Sequence, residues 1–164
     1  MVRFYKKPLN MVLLFFIASI LSILSFPCNP LVIFKAVKPP EIKVLWYMGW
    51  IVWASGMVLI ALAYYYTYIR KTKVLIKHGI YKVVRHPLYL GWILSVFIAT
   101  IFLHQHWIFI IIGTFGVSTI YLISIEEERS NNSRFGTSYK NYMEKVPRMN
   151  IIFGIIRLLR RKNK

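Results

Sequence analysis

Two short stretches hold most of the residues able to do chemistry. Residues 79–91 read Gly-Ile-Tyr-Lys-Val-Val-Arg-His-Pro-Leu-Tyr-Leu-Gly, and residues 126–128 are three consecutive glutamates. Gly79 permits a sharp turn. Pro87 suits the first position of a helix, where its missing N–H would be unpaired anyway, and it presses His86 toward an extended conformation. Arg85 and His86 then stand at the mouth of a helix whose first N–H groups are free, a setting that attracts an anion. The glutamates offer the opposite charge. They are three of only five acidic residues, and there is no aspartate. At the end of an apolar helix they would oppose its dipole. Pairing with nearby Lys and Arg is their plain explanation; a site for a cation is the sharper one.

The elements that must position these stretches are apolar. Of the 164 residues 57% are hydrophobic and the mean hydropathy is +0.54, above the balance of a soluble domain. The excess lies in long uncharged runs. We therefore expect an all-α integral membrane protein forming one domain over 1–164. It has four transmembrane helices, about 9–26, 44–69, 88–103 and 107–125, and a cytoplasmic C-terminal helical tail, 126–164.

The first run follows Arg3, Lys6 and Lys7. It is long for a signal peptide and lacks a small-x-small cleavage site, so it reads as a retained span. Pro39-Pro40 bars a helix from the loop at 27–43. Aromatic residues crowd both ends of the second run and mark its two interfaces. Gly91, Ser95 and Ala99 fall four apart, which lets another helix approach closely; Gly91 thus has a packing reading beside its ligand reading. Thr114 and Ser118 are small positions expected to face the third span. His104-Gln105-His106 fits only a tight turn, and its two histidines lack a third metal ligand. The single cysteine, Cys28, allows no intrachain disulfide. The run Ile151–Leu159, followed by Arg160, Arg161 and Lys162, is too short to span and reads as an interfacial helix held on anionic lipid.

The net charge of +17 follows from topology and needs no nucleic-acid partner. With the N-terminus cytoplasmic, every one of the 22 Lys and Arg residues except Lys35, Lys38 and Lys43 lies on the cytoplasmic side, as the positive-inside rule requires. Both termini are then cytoplasmic. The short turn after the third span makes a hairpin with the fourth, so Arg85-His86 and the glutamates meet on that same face. An anion site beside a cation site suits a ligand carrying both charges, such as an amino acid moiety.

Taken in order, Gly79-x-Tyr81-x-x-x-Arg85-His86-Pro87-x-Tyr89, Glu127-Glu128, Phe135-Gly136-x-x-Tyr139-x-x-Tyr142 and Val146-Pro147-Arg148 resemble the isoprenylcysteine carboxyl methyltransferase family, whose wider group includes phospholipid N-methyltransferases. The resemblance covers roughly residues 72 to 150. It implies a membrane methyltransferase that uses S-adenosyl-L-methionine on a lipidic or prenylated acceptor. It further implies a cofactor pocket lined by Gly79, Tyr81, Arg85, His86, Pro87 and Tyr89, with Glu127 and Glu128 opposite and Glu126 left over. Val74, Leu75 and Ile76 would add backbone contacts. Arg85, His86 and Arg148 are the candidate catalytic residues. Asn131 stands where the family usually has an apolar residue, and Ile151 where it tends to have proline.

Two other classes fit part of the pattern. A sterol-reductase-like enzyme using NADPH shares Arg-His-Pro, but Leu88 stands where those enzymes usually have asparagine, and they have more spans. A non-catalytic membrane protein with a structural ion network accounts for the charges but not for their order. The sequence leaves the acceptor and the oligomeric state open.

Overall fold

Residues 9–25, 42–69 and 75–162 are described by a computed structural model. The expectations placed on Arg3, Lys6, Lys7, Cys28, Lys35, Lys38, Pro39-Pro40 and Val74 lie outside the described residues. Their regular structure is all helical, with no strand among the described residues. Helix α1 is Leu9–Ser25. Helix α2, Lys43–Tyr64, continues into a π-helical turn, Tyr65–Ile69. A single 3-10 turn, Gly79–Lys82, leads to α3, Pro87–His104, whose middle third, Ile93–Ile98, is π-helical. Helix α4 is Trp107–Phe135, α5 Thr137–Lys145 and α6 Ile151–Lys162.

Among the described residues, three helices are long and apolar enough to cross a membrane: Lys43–Thr67, Pro87–His104 and Trp107–Phe135. Helix α1 is shorter, at 17 residues. Ile51 on α2 is 70% exposed, a placement that lipid accommodates and water does not. Inside, Phe97 and Ile120 are fully buried between α3 and α4. Helix α1 completes this core, with Leu14, Phe15, Ala18 and Leu21 packed against it. The Trp92 indole donates to the Ser22 hydroxyl at 3.0 Å.

The α2–α3 seam is a backbone-to-backbone approach. A Cβ on Gly91 would sit 2.7 Å from the Gly56 carbonyl oxygen, and one on Gly56 would sit 2.6 Å from the Ser95 nitrogen. Gly91, Ser95 and Ala99 are all buried, so their four-residue spacing serves packing.

Two expectations are corrected. The helix of the fourth span does not end at Ile125. It runs on through the glutamates to Phe135 and stops only at Gly136, whose φ is +54°. No glycine or proline intervenes, and Arg129 reaches back to Glu126 across one turn at 2.6 Å. The glutamates are therefore mid-helix, about two turns short of the negative end of the helix dipole. Thr114 and Ser118 do not face α3. They are exposed and bond to carbonyls of their own helix. Gly113 and Gly116 make the contact instead, against Ile101 and Phe97.

Candidate active site

The site is assembled from three chain segments. Gly79 opens the first with φ +61°, and the Tyr66 ring lies where its Cβ would be, so both conformation and space require glycine. The 3-10 turn closes through Val83 and Val84 nitrogens donating to the Ile80 carbonyl. Val84 is fully buried and anchors the two residues after it. Arg85 lies in a bend and His86, at φ −121° and ψ 62°, is not in the extended conformation expected before Pro87, because both are held by the second segment: Arg85 N donates to the Pro147 carbonyl at 3.0 Å and His86 N to the Arg148 carbonyl at 3.1 Å. These two bonds bring Arg148 to the site. Pro87 starts α3 as expected, and Leu90 N returns to the His86 carbonyl.

The third segment is one turn of α4. Glu128 points inward and gathers three cationic or polar partners. Arg148 grips it with two hydrogen bonds, Nε to Oε1 at 3.0 Å and Nη2 to Oε2 at 2.6 Å. His86 Nε2 lies 3.1 Å from Oε1; an ionised carboxylate only accepts, so the imidazole nitrogen donates. Arg85 Nη1 is also 3.1 Å from Oε1. Its geometry there is that of an ion pair rather than a hydrogen bond, and buried Nε and Nη1 of Arg85 have no hydrogen-bond partner. Glu127 differs. Its side chain is 38% exposed, and its nearest cationic group is His86 Nδ1 at 4.0 Å. Glu126 points elsewhere, to exposed Arg129.

The network therefore leaves a remainder. Glu128 and Arg148 satisfy each other. One edge of the Arg85 guanidinium remains, and the half-exposed Glu127 carboxylate, which accepts from the Tyr89 hydroxyl, keeps room for a cation; no ion pair joins Arg85 and Glu127 among the described residues. A buried guanidinium with unpaired donors calls for an acceptor, and a half-exposed carboxylate accepts a cation. Together they suit a zwitterion.

Aromatic side chains wall this space. The Tyr89 ring stacks on His86 at 5.6 Å. The Tyr81 phenol is pushed up to about 12 by burial and then by Glu127, so it stays a protonated donor at neutral pH. Burial likewise pushes the Tyr139 and Tyr142 phenols up. The hydrogen bonds from Glu128 hold the Arg148 guanidinium more firmly protonated.

The structure brings together Tyr81, Arg85, His86, Pro87, Tyr89, Glu127, Glu128 and Arg148. Leu75 lies behind them in the apolar cluster of Tyr139, Tyr142 and Val146, and Ile76 next to it is half-buried. Three supports were not among the expected site residues. The Tyr142 hydroxyl donates to the Tyr81 carbonyl at 2.7 Å, fixing the 3-10 turn; the three-residue spacing Tyr139-x-x-Tyr142 was its signal. Tyr121 lies under the Arg148 guanidinium, 5.0 Å away, and nothing in the linear sequence marks it. The Pro147 carbonyl is the third.

The histidine turn takes no part. Gln105 adopts the left-handed conformation, and its side chain pairs with both backbone groups of Ile42, at 2.9 and 2.8 Å. His106 Nδ1 accepts from Ile108 N and caps α4. No cluster of metal-ligating side chains occurs among the described residues.

Comparison with known proteins bears on the same segments. Residues 65–131 match the model of the isoprenylcysteine carboxyl methyltransferase family. A protein named methanethiol S-methyltransferase, from Crocosphaera subtropica, is 39% identical over 69 residues. That match takes in 41% of this chain and 25% of the relative, so only a quarter of the relative's length is represented. No solved structure matches. Arg148 and the tail helices lie beyond the family match, whereas Arg85-His86-Pro87 and Glu127-Glu128 fall inside it. Over residues 65–131, the stretch holding both charged arms of the site, this chain is similar to the isoprenylcysteine carboxyl methyltransferase family.

Proposed function

We propose that the protein is a multi-pass membrane methyltransferase dependent on S-adenosyl-L-methionine, acting on a lipidic acceptor and foremost on a carboxylate. The observation that carries this reading is the remainder in the ion network: Arg85 donors that lack a hydrogen-bond partner, in one cluster with the half-exposed Glu127 carboxylate, within the family-matched stretch. In this reading Arg85 receives the carboxylate of the cofactor's amino acid moiety and Glu127 its ammonium, with Tyr81 and Tyr89 beside them. The cofactor supplies a sulfonium methyl group, which the acceptor takes as the S–CH3 bond breaks and the new bond to the acceptor forms.

The chain's own contribution is alignment, which is worth about 7–11 kcal/mol when reactants are well oriented. Glu128, clamped by Arg148 and His86, holds Arg85 in place. A carboxylate acceptor needs no base, and Arg148 orients it from the one edge that Glu128 leaves open. An amine or thiol acceptor must lose a proton, and His86 is then the group to take it. Tyr121 and Leu122 are 46% and 50% exposed, on the side where Arg148 lies over the Tyr121 ring, which favours acceptor entry from the bilayer there. Entry between α2 and α3 is disfavoured by the tight Gly56–Gly91 seam. Four spans, with both termini and the site on the cytoplasmic side, complete the proposal, on the strength of the positive-inside pattern.

The test is calorimetric titration of detergent-purified protein with S-adenosylhomocysteine, with NADPH run in parallel. The expected result is micromolar binding of the first, lost in Arg85→Gln, and none of the second. A response to NADPH alone moves the protein to the reductases, and silence toward both leaves a structural ion network.

A further inference from the structure

Between the 77–82 segment and the tail helices lies a cavity of about 340 Å³, lined by Lys77, Lys82, Asn141, Tyr142, Lys145, Val146 and Leu158. Three of the seven lining residues are lysines and none is acidic. Lys77 donates to the Ser138 hydroxyl at 2.8 Å, while Lys82 is exposed and has no ion pair among the described residues. The floor is apolar: Val146 is 3% exposed, and the lysine stems add methylenes beneath their charged heads. Three exposed ammonium groups around one concavity, with no acidic side chain in its lining, give it a positive potential that attracts an anion.

The apolar part indicates the kind of anion. Leu158 belongs to α6 and shares a helix face with Ile155, three residues earlier. Ile155 is 44% exposed, and Leu159 beside it 57%. An apolar path thus leads from the cavity floor onto the exposed face of an amphipathic helix, whose place is the membrane interface. Helix α6 is held at this level by Gly154, where a Cβ would collide with the Val83 carbonyl, and by Arg157 donating to the Glu144 carbonyl at 3.0 Å.

We propose that this cavity is a headgroup site for one anionic phospholipid, with the phosphate between Lys77, Lys82 and Lys145 and the acyl chains leaving along Ile155 and Leu159. The site is distinct from the cluster around Glu128 and does not depend on the methyltransferase reading. It does share walls with that cluster. Tyr142 holds the Tyr81 carbonyl, and Val146 precedes Pro147, whose carbonyl holds Arg85. A filled headgroup site therefore braces the segment that carries the cofactor-facing residues.

The experiment is thermophoretic titration of the full chain in detergent with short-chain phosphatidylglycerol, short-chain phosphatidylcholine and inorganic phosphate. Phosphatidylglycerol is expected to bind, and Lys82→Gln to weaken it roughly fivefold, with Lys82→Gln/Lys145→Gln weakening it further by a similar factor. Lys140→Gln, an exposed lysine of α5 outside the cavity, is expected to change affinity less than about twofold. Circular dichroism of each variant checks that the helices are intact. Equal binding of phosphatidylcholine overturns the proposal, as does equal binding of inorganic phosphate, which makes the cavity a soluble-anion pocket. Equal losses in Lys82→Gln and Lys140→Gln also overturn it, since they indicate diffuse surface attraction.

Discussion

The α3–α4 hairpin carries histidine and other polar side chains at both of its ends, yet the two ends are built to different purposes. At the turn end the polar groups are largely taken up by backbone. Gln105 satisfies Ile42, His106 caps α4, and His104 stacks on Phe109 at 4.4 Å. At the mouth, side chains meet side chains: Arg85, His86 and Arg148 converge on Glu128. The first arrangement stabilises the fold by satisfying its polar groups locally. The second shares one carboxylate among three partners and still leaves a guanidinium edge, beside a second carboxylate that is half-exposed and held by the Tyr89 hydroxyl. Polar residues at a helix end thus announce a site when charged groups there are left incompletely bonded, whereas a lone neutral nitrogen such as His104 Nε2 does not.

Four substitutions break or sharpen that contrast. Glu128→Ala is expected to have the largest effect. It strands Arg85 and Arg148 without their shared carboxylate, costing about 3 kcal/mol in a denaturant titration and abolishing S-adenosylhomocysteine binding. A loss under about 1 kcal/mol would mean that the mouth is no more tightly built than the turn. Glu127→Gln separates the two roles at the mouth. Stability should stay within about 0.5 kcal/mol of wild type, while S-adenosylhomocysteine affinity falls about tenfold, the value of one charged contact. Unchanged affinity would remove Glu127 from the cofactor's ammonium.

At the turn the signs change. Gln105→Ala removes both bonds to Ile42 and should lower stability by about 1 kcal/mol with ligand affinity untouched; a change in affinity would show that the two ends communicate through the hairpin. His104→Leu is expected to be smallest. Nε2 of His104 is buried without a partner, so an apolar side chain there should be neutral or slightly stabilising by thermal unfolding, and a clear destabilisation would reveal a partner for that nitrogen.

Much of the site could be read before folding because its signals are local. Pro87 fixes a helix start by its ring, Gly79 a turn by its lack of Cβ, and the apolar runs set span lengths by bilayer thickness. The extent of α4 could not be read that way. Hydropathy ends at Ile125, but helix formation needs only the absence of a breaker, and none comes before Gly136. Glu126 was already set aside by the resemblance, but choosing Glu128 over Glu127 as the buried carboxylate required three dimensions, since consecutive helical residues point about 100° apart and only packing says which one faces the partner.

By itself, the sequence determined a helical membrane protein with an arginine-histidine-proline mouth, a nearby glutamate pair and a cationic tail, because composition, ring chemistry and chain order suffice for these. Tertiary structure alone decided which charges are paired and which are left. The pairing of residues 85–86 with 147–148, the Tyr121 face under Arg148, and the lysine cavity beside α6 each join positions dozens of residues apart in the chain or on separate elements. Such contacts arise from how helices pack, and no local spacing encodes them.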